Sequence, residues 1–146
     1  MLRHLAMPAT LVFALTASAQ EPVTIEVMET AESGPYLAVG ERPVYLFSSD
    51  ERGEGANAPV VSCIDECQEA WPRVTGPAVA GHGVEEGLLG ATDYGGQRIV
   101  TYNGWPLYQF ERDVEGGPPT GQEFESFGGS WLLVRPDGTP VIGEGV

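Results

Sequence analysis

One eight-residue phrase occurs twice in this chain. Residues 43–50 read Pro-Val-Tyr-Leu-Phe-Ser-Ser-Asp, and residues 106–113 read Pro-Leu-Tyr-Gln-Phe-Glu-Arg-Asp, 63 residues further on. Both satisfy Pro-[Val/Leu]-Tyr-x-Phe-x-x-Asp, and each is followed by a tryptophan, Trp71 and Trp131. A repeat of this kind marks two copies of one supersecondary unit that bury each other's apolar face. The expected architecture is mainly β: two pseudo-repeats of short antiparallel strands and hairpins in one compact domain, with one short helix carrying Cys-x3-Cys.

The local patterns agree with that frame. Val23 to Val27 alternates apolar and polar residues, as a half-buried strand does. Tyr36–Val39 and Val44–Phe47 are short apolar runs around Gly40-Glu41. Successive side chains on a strand point to opposite faces, so Tyr45 and Phe47 share one face and Val44 and Leu46 the other. Both faces are apolar, and the strand should be covered on both sides. In the second copy, Arg98–Tyr102 and Trp105–Phe110 flank Asn103-Gly104, a strong hairpin-turn signal. Ser130–Arg135 reads as a further strand, turned back at Pro136-Asp137-Gly138 toward Pro140–Ile142. Ser62 to Trp71 reads as the helix, with Ser62 as N-cap, Asp65 and Glu66 in its first turn and Pro72 as its stop.

The expected division is a signal peptide at 1–19, an N-terminal strand segment at 20–35 and a single β domain at 36–146. Within that domain, repeat one covers about 36–75, a Gly- and Ala-rich linker about 76–95 and repeat two about 96–142. Arg3 and His4 precede an apolar stretch from Leu5 to Thr16, and Ala17-Ser18-Ala19 is an A-x-A cleavage site before Gln20. The stretch is shorter than the roughly 20 residues that span a bilayer. No cysteine stands at the cleavage point to take a lipid. These features predict a periplasmic or secreted protein with no transmembrane segment.

Charge narrows the partners. The chain carries 21 acidic residues against 7 basic ones, a formal charge of −14, and every base is arginine. Such a chain repels nucleic acid and attracts cations or basic partners. The absence of lysine removes Schiff-base chemistry and the P-loop lysine. No G-x-S-x-G, H-E-x-x-H or His-containing triad is present, so no catalytic residue and no cofactor is expected.

Several spaced motifs resemble one family. The phrase Tyr-x-Phe-x-x-Asp, found twice, is similar to the secreted repeat, or predicted lipoprotein, family with a Y-x-[FWY]-x-x-D motif. Ser62-Cys63-x3-Cys67-x3-Trp71-Pro72, Thr101-Tyr102-Asn103-Gly104-Trp105-Pro106-Leu107-Tyr108, and Gly128-Gly129-Ser130-Trp131 through Pro136-Asp137-Gly138 resemble further segments of it. The likeness covers roughly residues 36–140. It implies an exported protein and no established activity.

Four groups of residues could carry chemistry. Cys63 and Cys67 are the only cysteines, and in an exported protein such a pair usually oxidises. One helical turn separates their Cα atoms by about 6 Å, within disulfide reach. A helix N-terminus at Cys63 would instead favour a redox thiolate, and a third use is metal ligation together with His82. Asp50 and Asp113 each open an acidic, Gly-containing loop of the kind that suits Ca²⁺. The bland alternative makes them turn-forming acceptors and makes Tyr45, Phe47, Tyr108 and Phe110 core anchors. Trp71, Trp105 and Trp131 could stack on a ring-bearing ligand, or pack in the core. The leading reading is a non-enzymatic exported module that binds an envelope partner or small ligand. The alternatives are a small thiol/disulfide redox protein using Cys63 and Cys67, and a Ca²⁺-dependent envelope protein.

Overall fold

The computed structural model describes residues 3–12 and 20–143. Residues 3–12 form no helix or strand. The expected cleavage site at Ala17-Ser18-Ala19 lies outside the described residues. From Val23 onward the fold is mainly β. The strands are β1 (Val23–Thr30), β2 (Gly34–Val39), β3 (Arg42–Pro43), β4 (Tyr45–Phe47), β5 (Ala78–Ala80), β6 (Leu89–Tyr94), β7 (Gln97–Tyr102), β8 (Trp105–Pro106), β9 (Phe124–Ser126) and β10 (Gly129–Leu133). The short helix α1 is Glu66–Ala70. Three small sheets result, ordered β3-β2-β1-β5, β6-β7-β8 and β4-β10-β9.

The sequence repeat is a structural repeat in register. β2 and β7 both have six residues, and β3 and β8 both have two, each pair displaced by the same interval as the motif. The connecting turns are Gly40-Glu41 and Asn103-Gly104, all four with positive φ of 51–80°. That is the backbone a two-residue turn needs to match the twist of its strands. Glu41 adopts it at φ 58° although it carries a Cβ, so the hairpin geometry outweighs the local preference. After each hairpin the chain folds back alike: the Val44 N–H donates to the Leu37 carbonyl at 3.0 Å, and Leu107 to Val100 at 3.1 Å.

The return strands do not stay with their own copy. Val74, from the first copy, donates to the Leu107 carbonyl at 2.9 Å and accepts from Val100 at 2.8 Å. β10, from the second copy, pairs antiparallel with β4, placing Trp131 opposite Phe47 and Leu133 opposite Tyr45. Each repeat thus lends its Trp-bearing segment to the other. The two-faced burial of β4 follows. Tyr45 and Phe47 join one core with Trp71, Tyr108, Phe110 and Trp131. Val44 and Leu46 join a second with Leu37, Val100, Leu107 and Val134.

Three local expectations are corrected. The helix is five residues long instead of the ten of Ser62–Trp71. Ser62 does not cap it: its N–H goes to Asp50 Oδ1 at 2.7 Å and its hydroxyl to the Ser49 carbonyl at 2.8 Å. The Asp50 carboxylate and the burial of Cys63 hold residues 62–64 out of the helix, which begins only after Asp65 at φ 54°. The stretch at 76–95 is structured. It contains β5, which pairs parallel with β1, a 3-10 turn at Glu86–Leu88, and all of β6. The outer edge of β1 needed a partner, and Ala78-Val79-Ala80 supplies it despite a weak strand pattern. β9, for which no strand was expected, pairs with β10.

Candidate functional site

The two motifs meet at their tyrosines. The Tyr45 N–H donates to the Tyr108 carbonyl at 2.7 Å, and the Tyr108 N–H to the Tyr45 carbonyl at 2.9 Å. This antiparallel bridge lies where a local two-fold would relate the copies. The side chains then cross. The Tyr45 hydroxyl donates to Asp113 Oδ2 at 2.6 Å, and the Tyr108 hydroxyl to Asp50 Oδ2 at 2.6 Å. All four residues are buried. Each tyrosine takes the aspartate of the other copy.

The second oxygen of each carboxylate holds a loop. Asp50 Oδ1 accepts the Ser62 N–H at 2.7 Å. Asp113 Oδ1 accepts both the Thr120 N–H at 2.8 Å and the Thr120 hydroxyl at 2.7 Å. The aspartates therefore do more than close their own strand ends: they tie a distant loop on one side and the opposite repeat on the other. Gly121 donates its N–H to the Tyr45 hydroxyl at 3.1 Å and leaves no room for a Cβ against the Trp71 and Tyr45 rings.

An aromatic column lies against these pairs. Trp71 and Trp131 stack on each other with centroids 3.9 Å apart and planes 1° from parallel. Phe110 covers the outer face of Trp71 and Phe47 that of Trp131, each at 4.2 Å. Tyr45 meets Trp71 edge-on at 5.4 Å, and Tyr108 meets Trp131 edge-on at 5.1 Å. The column obeys the same two-fold as the hydrogen bonds. Both Trp faces are thereby taken by protein rings. Trp105 is half-buried against the other core.

Burial acts on the ionisable groups. It is the main cause that pushes the Tyr45 and Tyr108 phenols far above their usual value of 10.0, aided by the carboxylate each one faces. Both stay protonated at any physiological pH and act as donors. Burial also raises Asp50 above 3.8, opposed by the hydrogen bonds from Tyr108 and Ser62. A carboxyl raised on folding stabilises the native state below its unfolded pKa, and that contribution is lost as pH rises through the folded pKa. Acidification toward 3.8 should therefore stabilise the wild type relative to Asp50→Asn. Denaturation midpoints of both proteins across that window test this; a constant difference refutes it.

The remaining candidates are placed as follows. Cys63 and Cys67 form a disulfide with Cα atoms 5.2 Å apart, and both are buried. Cys63 precedes the helix, so no helix dipole acts on it in the way expected from sequence. His82 is exposed. Among the described residues, no group of three or more His, Cys, Asp or Glu side chains could hold a metal ion. No helix among them is long and apolar enough to cross a membrane.

The matched family covers the second half of this arrangement. Residues 91–135 match the family model of a secreted repeat of unknown function. No curated protein and no solved structure matches the chain. The secreted-repeat segment runs from within β6 through β10 and contains Tyr108, Phe110, Asp113 and Trp131. This is the family that the resemblance named, matched over 91–135 where the resemblance covers roughly 36–140. The first copy lies outside the match, yet its Tyr45, Phe47, Asp50 and Trp71 occupy the equivalent places in three dimensions. The crossing of the pairs was not legible from sequence.

The crossing makes a sharp expectation for double-mutant cycles. Tyr45→Phe with Asp113→Ala should show a coupling of about 1.5–3 kcal/mol, the range for a hydrogen bond to a charged group. Tyr108→Phe with Asp50→Ala should match it. Tyr45→Phe with Asp50→Ala, partners within one motif, should be additive within about 0.5 kcal/mol. Coupling within a motif and none between motifs would contradict the geometry.

Proposed function

We propose that this chain is an exported cell-envelope module that acts without catalysis, as a binding or structural protein, and that its repeated motif is the clamp joining its two halves. The carrying observation is the crossed pair of buried Tyr–Asp hydrogen bonds. The motif's reactive groups are engaged with one another and with backbone N–H groups. They offer no nucleophile, base or open ligand position to a substrate. The matched family, a secreted repeat, supports export, and the acidic composition suits an envelope partner that is basic.

The test compares stability with function. Tyr108→Phe and Asp113→Ala should each lower the denaturation midpoint, by about 1 kcal/mol or more of stability. Unchanged midpoints with loss of a cellular phenotype would overturn the clamp and make the motif a working surface. The same purified protein bears on the other readings. Non-reduced peptide mapping should give one Cys63–Cys67 link and no free thiol. A rise in melting temperature with Ca²⁺ would favour the cation-dependent reading instead. Cleavage after Ala19 belongs to this proposal: the intact mass of exported protein should begin at Gln20, and a retained Met1 or an added lipid would refute it.

A further inference from the structure

The buried core joins two kinds of group that the clamp alone does not require to be adjacent. One is a pair of parallel indoles in van der Waals stacking. The other is a pair of phenols, each hydrogen-bonded to a carboxylate. We propose that the core is a one-electron relay: an oxidising equivalent entering at Trp71 or Trp131 comes to rest as a neutral tyrosyl radical on Tyr45 or Tyr108.

The geometry supports each step. Trp71 and Trp131 stack at 3.9 Å with planes 1° apart, so a hole on one indole is shared with the other. Sharing stabilises the radical cation and lowers the potential needed to make it. Phe110 and Phe47 cap the outer faces at 4.2 Å. A phenyl ring is much harder to oxidise than indole, so the two caps confine the hole. The routes left are the edge contacts to Tyr45 and Tyr108, at 5.4 and 5.1 Å. Phe124, which is 37% exposed, lies with its centroid 6.1 Å from that of Trp71, so an oxidant at the surface takes the electron from the indole by tunnelling across a single ring that is not itself oxidised.

The proton decides where the hole stops. A phenol cannot lose an electron at a moderate potential unless its proton leaves as well, and inside a core water cannot take it. Tyr45 has Asp113 Oδ2 at 2.6 Å, and Tyr108 has Asp50 Oδ2 at 2.6 Å. Among the hydrogen bonds of the described residues, no other tyrosine donates to a carboxylate; Tyr102 gives its proton to the Pro136 carbonyl, which cannot keep it. The burial that raises Asp50 makes it a readier acceptor. The step balances. A one-electron outer-sphere oxidant at the surface takes one electron from the Trp pair and is reduced. The pair recovers that electron from the tyrosine. The O–H bond of the tyrosine breaks, and its proton forms an O–H bond on the aspartate. Tyr–OH and carboxylate become tyrosyl radical and carboxylic acid; a one-electron outer-sphere reductant at the surface, itself oxidised, returns the electron through the Trp pair, and the proton moves back from the aspartic acid to the phenolate oxygen.

The experiment uses the full chain with photogenerated trivalent ruthenium polypyridyl as the oxidant, read by transient absorption and freeze-quench electron paramagnetic resonance. Wild-type protein should yield a neutral tyrosyl signal that persists in Tyr94→Phe, which removes the exposed tyrosine. Tyr45→Phe/Tyr108→Phe should lose that signal and leave a tryptophan radical, while Trp71→Phe should slow formation of the tyrosyl. A tyrosyl signal that survives the double change, or that disappears in Tyr94→Phe, overturns the proposal. Wild-type protein in D₂O gives a test independent of folding in any variant of the pair. Formation of the radical should slow, because the proton moves with the electron, and an unchanged rate overturns the relay.

Discussion

Trp71→Ala should cost about 3–5 kcal/mol of stability, the range for truncating a large buried aromatic. The indole is 1% exposed, with Trp131 on one face, Phe110 on the other and Tyr45 at its edge. Its removal opens a cavity at the one place where both repeats contribute rings to a single column. The column cannot close up without pulling Tyr45 from Asp113, so little of the loss can be recovered by relaxation. Domains of this size have about 5–15 kcal/mol in total, so the variant should sit near its threshold. Chemical denaturation of wild type and variant measures it. A loss below about 1 kcal/mol, typical of a surface change, would mean that the stack contributes little.

A fragment spanning residues 20–78 should fail to fold. It retains β1 to β4 and the disulfide, but the hydrogen-bonding partners of its last segment are gone. Val74 bonds to Leu107 and Val100, Gly76 to Arg98, and Pro72 to Gln109, all beyond the cut. β4 loses β10, and Tyr45 loses Asp113. A few short strands with an open apolar face are marginal in water. The fragment should show no cooperative melt and collapsed amide dispersion in its NMR spectrum. A sharp melt would mean that the first repeat folds alone and that the exchange of return strands is dispensable.

These two expectations rest on features of different legibility. The hairpin turns are legible in local signals, Asn103-Gly104 and the apolar runs around it, although the expected strand Trp105–Phe110 shortens to Trp105–Pro106. The division of Val44–Phe47 into two apolar faces is legible too, since it needs only the alternation of a strand. Ser62, Asp65 and Glu66 carry the right chemistry for a helix start, yet the helix begins only at Glu66. A side chain twelve positions earlier, Asp50, takes the Ser62 N–H and bends the chain away. β5 is not legible in the sequence because Ala-Val-Ala has little strand preference of its own; it forms by pairing along the edge of β1. The aspartates were expected as turn formers, and their bonds to loops and to the other repeat depend on which surfaces meet.

The sequence by itself determined that there are two copies of one unit, that they are mainly β, and that their aromatic residues are numerous enough to make a core. It did so because repetition, alternation and turn chemistry act within a few residues. Only the tertiary structure decided that each copy gives its return strand and its aspartate to the other, and that Trp71 and Trp131 end face to face. Either pairing, within a copy or between copies, would satisfy the same donors and acceptors on paper. The choice falls to the three-dimensional path of the chain. In each copy the chain turns after the motif phenylalanine, with Asp50 N–H bonded to the Phe47 carbonyl and Asp113 N–H to that of Phe110, and the two-fold approach of the repeats brings the other copy's tyrosine within 2.6 Å of each aspartate.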